Sequence, residues 1–577
     1  MKKTAAILAV LLVLAGRHGI CANSLAADPA AANQKDALLS PQAKKIDEYL
    51  TAITPFGYSG AILVAKYGEI LINRGYGLAV REKGIRNTSE TVFCTGSITK
   101  QFTAAAILKL EMLGKLSVSD TLDKFFSDVP ADKQKITLHH LLTHTSGLVG
   151  DVGGDYEVAE RHETVQKILA QPLRSEPGTK FLYSNAGYSL LAAVIEKTGG
   201  RTYEDFLSRN LFKPAGMSDT GYRLPRWKNK VIAHWYVGEK DNGIPLDRPF
   251  PYWNLIGNGG ILSTTADMFK WSLALKGNKI LSSEAKKTLW TPVLNDYACG
   301  WDVLTTAGGK LFQHDGASSL GSSADFRLFV EADIVIMLFS NQSPDGSALI
   351  FKIRDKIERL VFNEDVPIPP QLAPGDPKIL ARFAGEYRLP VGAKFNVSAG
   401  EGGLFLVPEG QEALSLLMSV NLTDPTYKEL NARTTALIEK VVRGDYQAIY
   451  ESFGGGVPLE RITARQKRIW EEMEKKFGAY RGFRVLGTIP LEGASATLVQ
   501  YDFEKGTETI QCVWGPRGLM GIRVPATPVK IKFVPQTATE FIGYDIGTTR
   551  LARIQFKLDN NGAVTGLSIS GRTASRM

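Results

Sequence analysis

The sequence predicts a mixed α/β (α+β) protein of several domains. One antiparallel sheet is flanked by helices, and a small β-barrel interrupted by an α+β cone-like insertion follows. Three observations carry this expectation. At 577 residues the chain is too long for one ordinary hydrophobic core. Strand-like segments bracket a helical middle between residues 41 and 362. Beyond a stretch rich in proline and acid at 363–376, the pattern changes to short strands with Gly/Pro turns, broken by a helical block. Hydrophobic residues make up 44% and charged residues 22%, which describes folded domains rather than a disordered chain.

Residues 1–27 read as a signal peptide. Met1-Lys2-Lys3 is basic, residues 5–15 are apolar, and the small residues around Ser24-Leu25-Ala26-Ala27 suit a cleavage site. Cys21 follows Gly19-Ile20 and lacks the small-residue setting of a lipoprotein cysteine, so soluble export to the periplasm or medium is expected. No later stretch is long and apolar enough to span a membrane. Loss of residues 1–27 would remove Lys2, Lys3 and Arg17 and take the net charge from +9 to +6. The surplus is spread along the chain without an Arg/Lys block, which argues against nucleic acid as a partner. Cys94, Cys299 and Cys512 form an odd and sparse set, unlike a disulfide framework.

Residues 28–40 read as a flexible leader. An amphipathic helix at 41–53 carries Ile46, Leu50 and Ile53 on one side, and a hairpin follows over 60–72 with its turn at Tyr67-Gly68-Glu69. A helix is expected from Ser97, with Ile98, Phe102, Ala105, Ile107, Leu108 and Met112 on its buried side. The polar Gly/Asp loop 149–155 is suited to line a cleft. Tyr183-Ser184-Asn185 leads into a helix at 189–197 that Gly199-Gly200 closes, and another helix spans 203–211. The glycine-dense turn 257–261 precedes a helix capped at Ser263 or Thr264. Strands at 299–304, 311–314, 322–330 and 333–340 and a helix at 348–361 complete the first domain, 41–362. After the linker 363–376, two barrel halves, 377–422 and 526–577, enclose an insertion at 424–525. Its residues 425–478 are helical, with four strands after them. Insertion at a surface loop costs little closure entropy.

The candidate chemistry begins at Ser97. A serine hydroxyl is a poor nucleophile until a neighbour takes its proton, and Lys100, one turn on, can do so if burial lowers its pKa. Tyr183 and Asn185 offer a phenol to relay a proton and an amide to bond Lys100 or a substrate carbonyl. His314, Asp315 and Gly316 lie after a strand whose edge exposes backbone groups to an extended acyl substrate. The Ser97 N–H and one from Ala317 or Ser318 would form an oxyanion hole, and His314 could bind a carboxylate or tune the tyrosine. Each piece also has a plain structural reading: Ser97 as a helix cap, Tyr183 as packing, His314 as a satisfied strand residue, His144 as a turn-stabilising hydrogen bonder.

Taken together these residues resemble the serine beta-lactamase and penicillin-binding-protein superfamily, in its branch of class C beta-lactamases, D-stereospecific peptidases and esterases. Ser97-Ile98-Thr99-Lys100 matches the first motif and Tyr183-Ser184-Asn185 the second. His314-Asp315-Gly316 stands where that group has Lys-Thr-Gly or His-x-Gly. Residues 141–148 and 259–264 resemble further signatures. The resemblance spans about residues 42–362 and implies an acyl-enzyme on Ser97, with Lys100 and Tyr183 catalytic and neither cofactor nor metal. The barrel resembles lipocalin-like domains, and the insertion is similar to nuclear-transport-factor-2-like modules. Asp315 stands where a hydroxyl residue is usual, and if it faces inward it would repel a substrate carboxylate. That favours an esterase or D-amino-acid peptidase or amidase acting on a small-molecule or short-peptide acyl substrate, cell-wall-derived ones included. A true beta-lactamase or D-alanyl-D-alanine carboxypeptidase is the first alternative, and a silent binding or sensor protein the second.

Overall fold

The computed structural model describes residues 40–343, 348–370, 372, 377–400, 402–418, 424–453, 459–491, 494–516, 518–523, 529–547 and 549–577. The expected signal peptide, and the leader apart from Ser40, lie outside these residues. So does part of the expected linker.

The first region is built on a six-stranded antiparallel sheet. Its strands are β1 (Gly60–Lys66), β2 (Glu69–Tyr76), β3 (Asp302–Thr306), β4 (Gly309–Ala317), β5 (Ser323–Phe329) and β6 (Ile334–Ser340), in the order β2-β1-β6-β5-β4-β3. Both faces of its centre are covered, so β1 and β6 are continuous apolar runs rather than alternating ones. On the back, Ile62, Val64, Leu311, Phe329, Ile336 and Leu338 pack against α1 (Pro41–Ile53) and the closing helix Ile350–Val361. On the front, Leu63, Phe312, Phe326, Val335, Met337 and Phe339 meet the helical layer.

At the centre of that layer lies α2 (Thr99–Met112), buried at every position from Thr99 to Leu108. Phe102 packs against Trp271 and Phe212, with ring centroids 5.0 and 5.1 Å away. Truncating it to alanine would cost about 3–5 kcal/mol. The helix differs from expectation at both ends. Gly96–Ile98 is a 3-10 turn and Ser97 makes no capping bond, so the cap reading of Ser97 fails. Met112 is 41% exposed, although Leu110 two residues earlier is fully buried, so the core reaches into the last turn but not to its end. The next long helix, α3 (Asn185–Gly199), is capped by the Ser184 hydroxyl and ends at Gly200 in the left-handed conformation that glycine favours.

The C-terminal region closes an eight-stranded antiparallel barrel. Its strands Gly385–Arg388, Lys394–Gly400 and Gly403–Glu409 precede the insertion, and Ile531–Pro535, Glu540–Tyr544, Leu551–Leu558, Val564–Ile569 and Arg572–Arg576 follow it. Closure comes from the last strand, unforeseen in the sequence, which pairs Arg576 with Tyr387 and Ser575 with Arg388. Phe395, Leu406, Phe533, Phe541 and Phe556 fill the interior. After the first three strands come the helix Gln411–Met418, which the expected first barrel half 377–422 included without an element of its own, the helices Pro425–Val441, Gln447–Ser452 and Leu459–Phe477, and a four-stranded antiparallel sheet. The barrel rests on the back of the first region, where Tyr544 meets Phe56 at 5.5 Å and its hydroxyl donates to the Pro367 carbonyl. No helix among the described residues is long and apolar enough to cross a membrane.

Candidate active site

Two glycines bring the turn before α2 onto the end of β4. Gly96 has φ +54°, and a Cβ there would lie 2.9 Å from the Ala317 nitrogen. A Cβ on Gly316 would lie 2.3 Å from the Thr95 carbonyl oxygen and 2.6 Å from the Ser97 nitrogen. Side chains at either position would push strand and turn apart, which is why Gly316 sits within β4 and not, as expected, beyond the strand.

Lys100 is fully buried, and its Nζ donates to the Asn258 carbonyl (2.7 Å) and to Asn185 Oδ1 (2.8 Å) and lies 3.1 Å from Ser97 Oγ. Burial lowers its pKa to about 7, against the opposing pull of the Asp151, Asp155 and Asp315 charges. Two of its contacts are with carbonyl oxygens, which only accept. The third can reverse: an ammonium donates to Ser97 Oγ, whereas a neutral amine offers the hydroxyl a lone pair. Asn185 Nδ2 donates to Asp151 Oδ1 at 2.9 Å, which fixes the amide so that its oxygen faces Lys100.

Tyr183 lies beside this pair, with Lys100 Nζ 4.7 Å from its ring centroid. The residue is 40% exposed, but desolvation at its hydroxyl raises the phenol well above the usual range, partly offset by a hydrogen bond with the Ser97 hydroxyl, so the phenol keeps its proton. Its ring packs against that of His144, with centroids 4.2 Å apart and planes tilted by 36°. Ser97, Lys100, Tyr183 and Asn185 therefore converge, although 85 residues separate the two asparagine-bonded partners Lys100 and Asn185.

The β4 residues divide by side. His314 faces the site, but both its nitrogens are occupied: Nδ1 lies 2.6 Å from the Asp315 carbonyl and Nε2 2.9 Å from the Tyr297 hydroxyl. A carbonyl cannot donate, so Nδ1 carries the proton and Nε2 accepts from Tyr297. Burial and the nearby Lys100 charge lower its pKa to about 4, leaving a neutral ring without a free N–H for a substrate carboxylate. Such a ring does not suit the carboxylate-binding role, one of the two expected of His314. Strand alternation turns Asp315 to the back, where Arg354 Nη1 bonds its carboxylate at 3.1 Å. The repulsion of a substrate carboxylate that an inward-facing Asp315 would cause therefore does not arise.

The backbone of β4 discriminates between the two expected donors. Val330 N–H bonds the Lys310 carbonyl and Ser318 N–H bonds the Ser322 carbonyl, both at 2.9 Å, so even-numbered residues of β4 exchange bonds with β5. The Ser318 amide is thereby occupied. Ala317 N–H points to the opposite edge, beyond Gln313, where pairing with β3 stops. It faces the turn holding Ser97, whose own N–H lies in a first helical turn and has no intrahelical partner.

Several contributors carry no pattern in the sequence. Asn258 acts through its carbonyl, which any residue possesses, and Tyr297 and Asp151 reach the site only through folding. The glycines at 257, 259 and 260 were the available signal for the Asn258 turn: Gly257 and Gly260 have φ +89° and +87°.

The Beta-lactamase family model matches residues 54–356. The chain is 32% identical over 324 residues to the putative penicillin-binding protein PbpX of Bacillus subtilis (strain 168), over 56% of this chain and 79% of the relative. To Penicillin-binding protein 4* of the same organism it is 28% identical over 401 residues, 63% of this chain and 86% of the relative. The structure of the octameric penicillin-binding protein homologue from Pyrococcus abyssi aligns with TM-score 0.49 and 21% identity, over 91% of this chain and 97% of that one.

Proposed function

Because this chain belongs to the beta-lactamase family of serine hydrolases, we propose that it is an exported hydrolase that forms an acyl-enzyme on Ser97 with ester or amide substrates. The observation that carries this reading is the environment of Lys100: a buried amine that titrates near neutrality, held by two carbonyls and aimed at Ser97 Oγ. Neutral Lys100 takes the Ser97 proton as Oγ adds to the substrate carbonyl. The N–H groups of Ser97 and Ala317 hold the oxyanion. Collapse expels the leaving group, which receives a proton through the Tyr183 phenol. Water, activated by the same groups, then releases the acid and restores Ser97.

The charge of the cleft favours an esterase or D-amino-acid amidase or peptidase over a beta-lactamase or carboxypeptidase. Asp151 and Asp155 face Lys100, and neither has a Lys or Arg ion-pair partner among the described residues. Asp155 is held above its usual range by burial and by Asp151. His314 is neutral and Arg354 is bound to Asp315, so neither offers a free cation to a substrate carboxylate. Residues 377–577 would then act in recognition of larger substrates, as a lipocalin-like barrel with its inserted cone.

The test compares rates on a short-chain nitrophenyl ester, D-amino-acid amides and a chromogenic cephalosporin, with fluorophosphonate labelling of Ser97. Hydrolysis of ester and amide ahead of the cephalosporin, with labelling lost in Ser97→Ala, is the expected result. A wild type neither labelled nor active on any of the three would make it a silent binding protein.

A further inference from the structure

We propose that His144 is a positioning residue for Tyr183: one imidazole and its own carbonyl clamp the chain on both sides of the tyrosine while the ring supports the phenol from below. This rests on the Ser97 hydrolase reading. Leu182 N–H donates to the His144 carbonyl at 2.8 Å, and Ser184 N–H donates to His144 Nδ1 at 3.0 Å. Residues 182 and 184 flank Tyr183, so a single residue fixes its backbone from either side. The His144 ring lies 4.2 Å from that of Tyr183, 4.8 Å from Tyr297 and 5.0 Å from Tyr188.

The clamp is held against local cost. His144 has φ +57°, a left-handed conformation uncommon outside glycine, although Asn, Asp and His adopt it more often than other side chains. Nδ1 accepts a backbone N–H, so the proton of the neutral ring is on Nε2, and that buried nitrogen has no partner. A turn alone could be made without strain by Gly or Asn. What the imidazole adds is an acceptor at the reach of Ser184 together with a flat face under Tyr183. Protonation would set Nδ1–H against the Ser184 N–H and break the clamp. Burial, reinforced by the nearby Lys100 charge, holds the imidazole well below its usual range and so keeps the ring neutral.

The experiment measures kcat and KM on the nitrophenyl ester for full-length wild type, His144→Ala and His144→Asn, with thermal melting and fluorophosphonate labelling of each. Asn tolerates the backbone conformation, and its Oδ1 can accept the Ser184 N–H. The expected result is a fall in kcat of about 100-fold in the Ala variant, as for a misplaced catalytic group, with KM within about threefold of wild type. The Asn variant is expected to recover at least about tenfold of that loss. If the Ala variant does not fold, a kcat for the Asn variant between about one-third and one-tenth of wild type, at unchanged KM, supports the clamp. An Ala variant with wild-type kcat, a loss confined to KM, or folded Ala and Asn variants of equal kcat would overturn the proposal while wild type remains active. A wild type without labelling or turnover would overturn the hydrolase reading instead, and with it the role of His144.

Discussion

The two faces of the central sheet each bury a cation, in opposite chemical company. On the front, Lys100 is surrounded by the Asn258 carbonyl, the Asn185 amide and the Ser97 hydroxyl. On the back, Arg327 bonds Asp325 at 2.8 Å and Asp355 at 3.2 Å, and also Glu358. Dipoles without a bonded carboxylate leave the lysine's charge under-compensated, so it titrates near neutrality. For Arg327 burial works in the same direction, but the three carboxylates outweigh it and hold the guanidinium charged. The same sheet thus carries a cation that can let its proton go and one that cannot.

The sharpest way to break this contrast is Lys100→Arg. It preserves charge and length but not the ability to deprotonate, and should lower kcat/KM by about 10³-fold or more. A rate near wild type would show that Lys100 is not the base. Arg327→Ala is next: it leaves Asp325, Glu358 and Asp355 without their shared cation and should cost about 3–5 kcal/mol in denaturant melts. Retained stability would mean that the carboxylates are neutralised some other way.

Lys100→Met should stabilise the protein at pH 6. The folded-state pKa is about 7 against the ordinary 10.5, so the unfolded chain binds more protons between those values and wild-type stability rises with pH there. The penalty is full below about pH 7 and vanishes above about 10.5, so the Met variant's advantage should shrink along that interval. Melting curves at pH 6 and 10 check the sign. On the acid side of that window, below about pH 7, kcat/KM of wild type should fall about tenfold per unit as Lys100 gains its proton. A flat profile to pH 5 would break the link between burial and catalysis. The smallest effect is expected at Asp315→Asn. Its side chain faces Arg354 on the back and is partly exposed, so kcat/KM should move by less than about threefold and stability by no more than about 1 kcal/mol. A large gain on the cephalosporin would show that its charge reaches the cleft after all.

Much of the architecture was legible because period and punctuation are local. The apolar runs of β1 and β6 and the Gly/Pro turns of the barrel report how a segment is buried, whereas α2, expected to bury one side, is buried at every position from Thr99 to Leu108. Failures fell where burial depends on partners far along the chain. The closing strand Arg572–Arg576 was missed because pairing with Tyr387 and Arg388, not propensity, makes it; the helix Gln411–Met418 was not assigned within the expected barrel half. Met112 was assigned to a core that ends at Leu110, two residues before it.

The candidate site divides in the same way. The sequence by itself determined that a serine and a lysine stand one helical turn apart beside a glycine, and that Tyr-Ser-Asn and His-Asp-Gly segments exist to join them, because spacing and residue type are covalent facts. Only the tertiary structure decided that Asp315 turns away and that Ser318 has spent its amide on Ser322. It also decided that Lys100 is dry and that His144 grips the chain around Tyr183. Side-chain direction depends on sheet register, and pKa depends on what surrounds a group in three dimensions; neither is written in the spacing of residues.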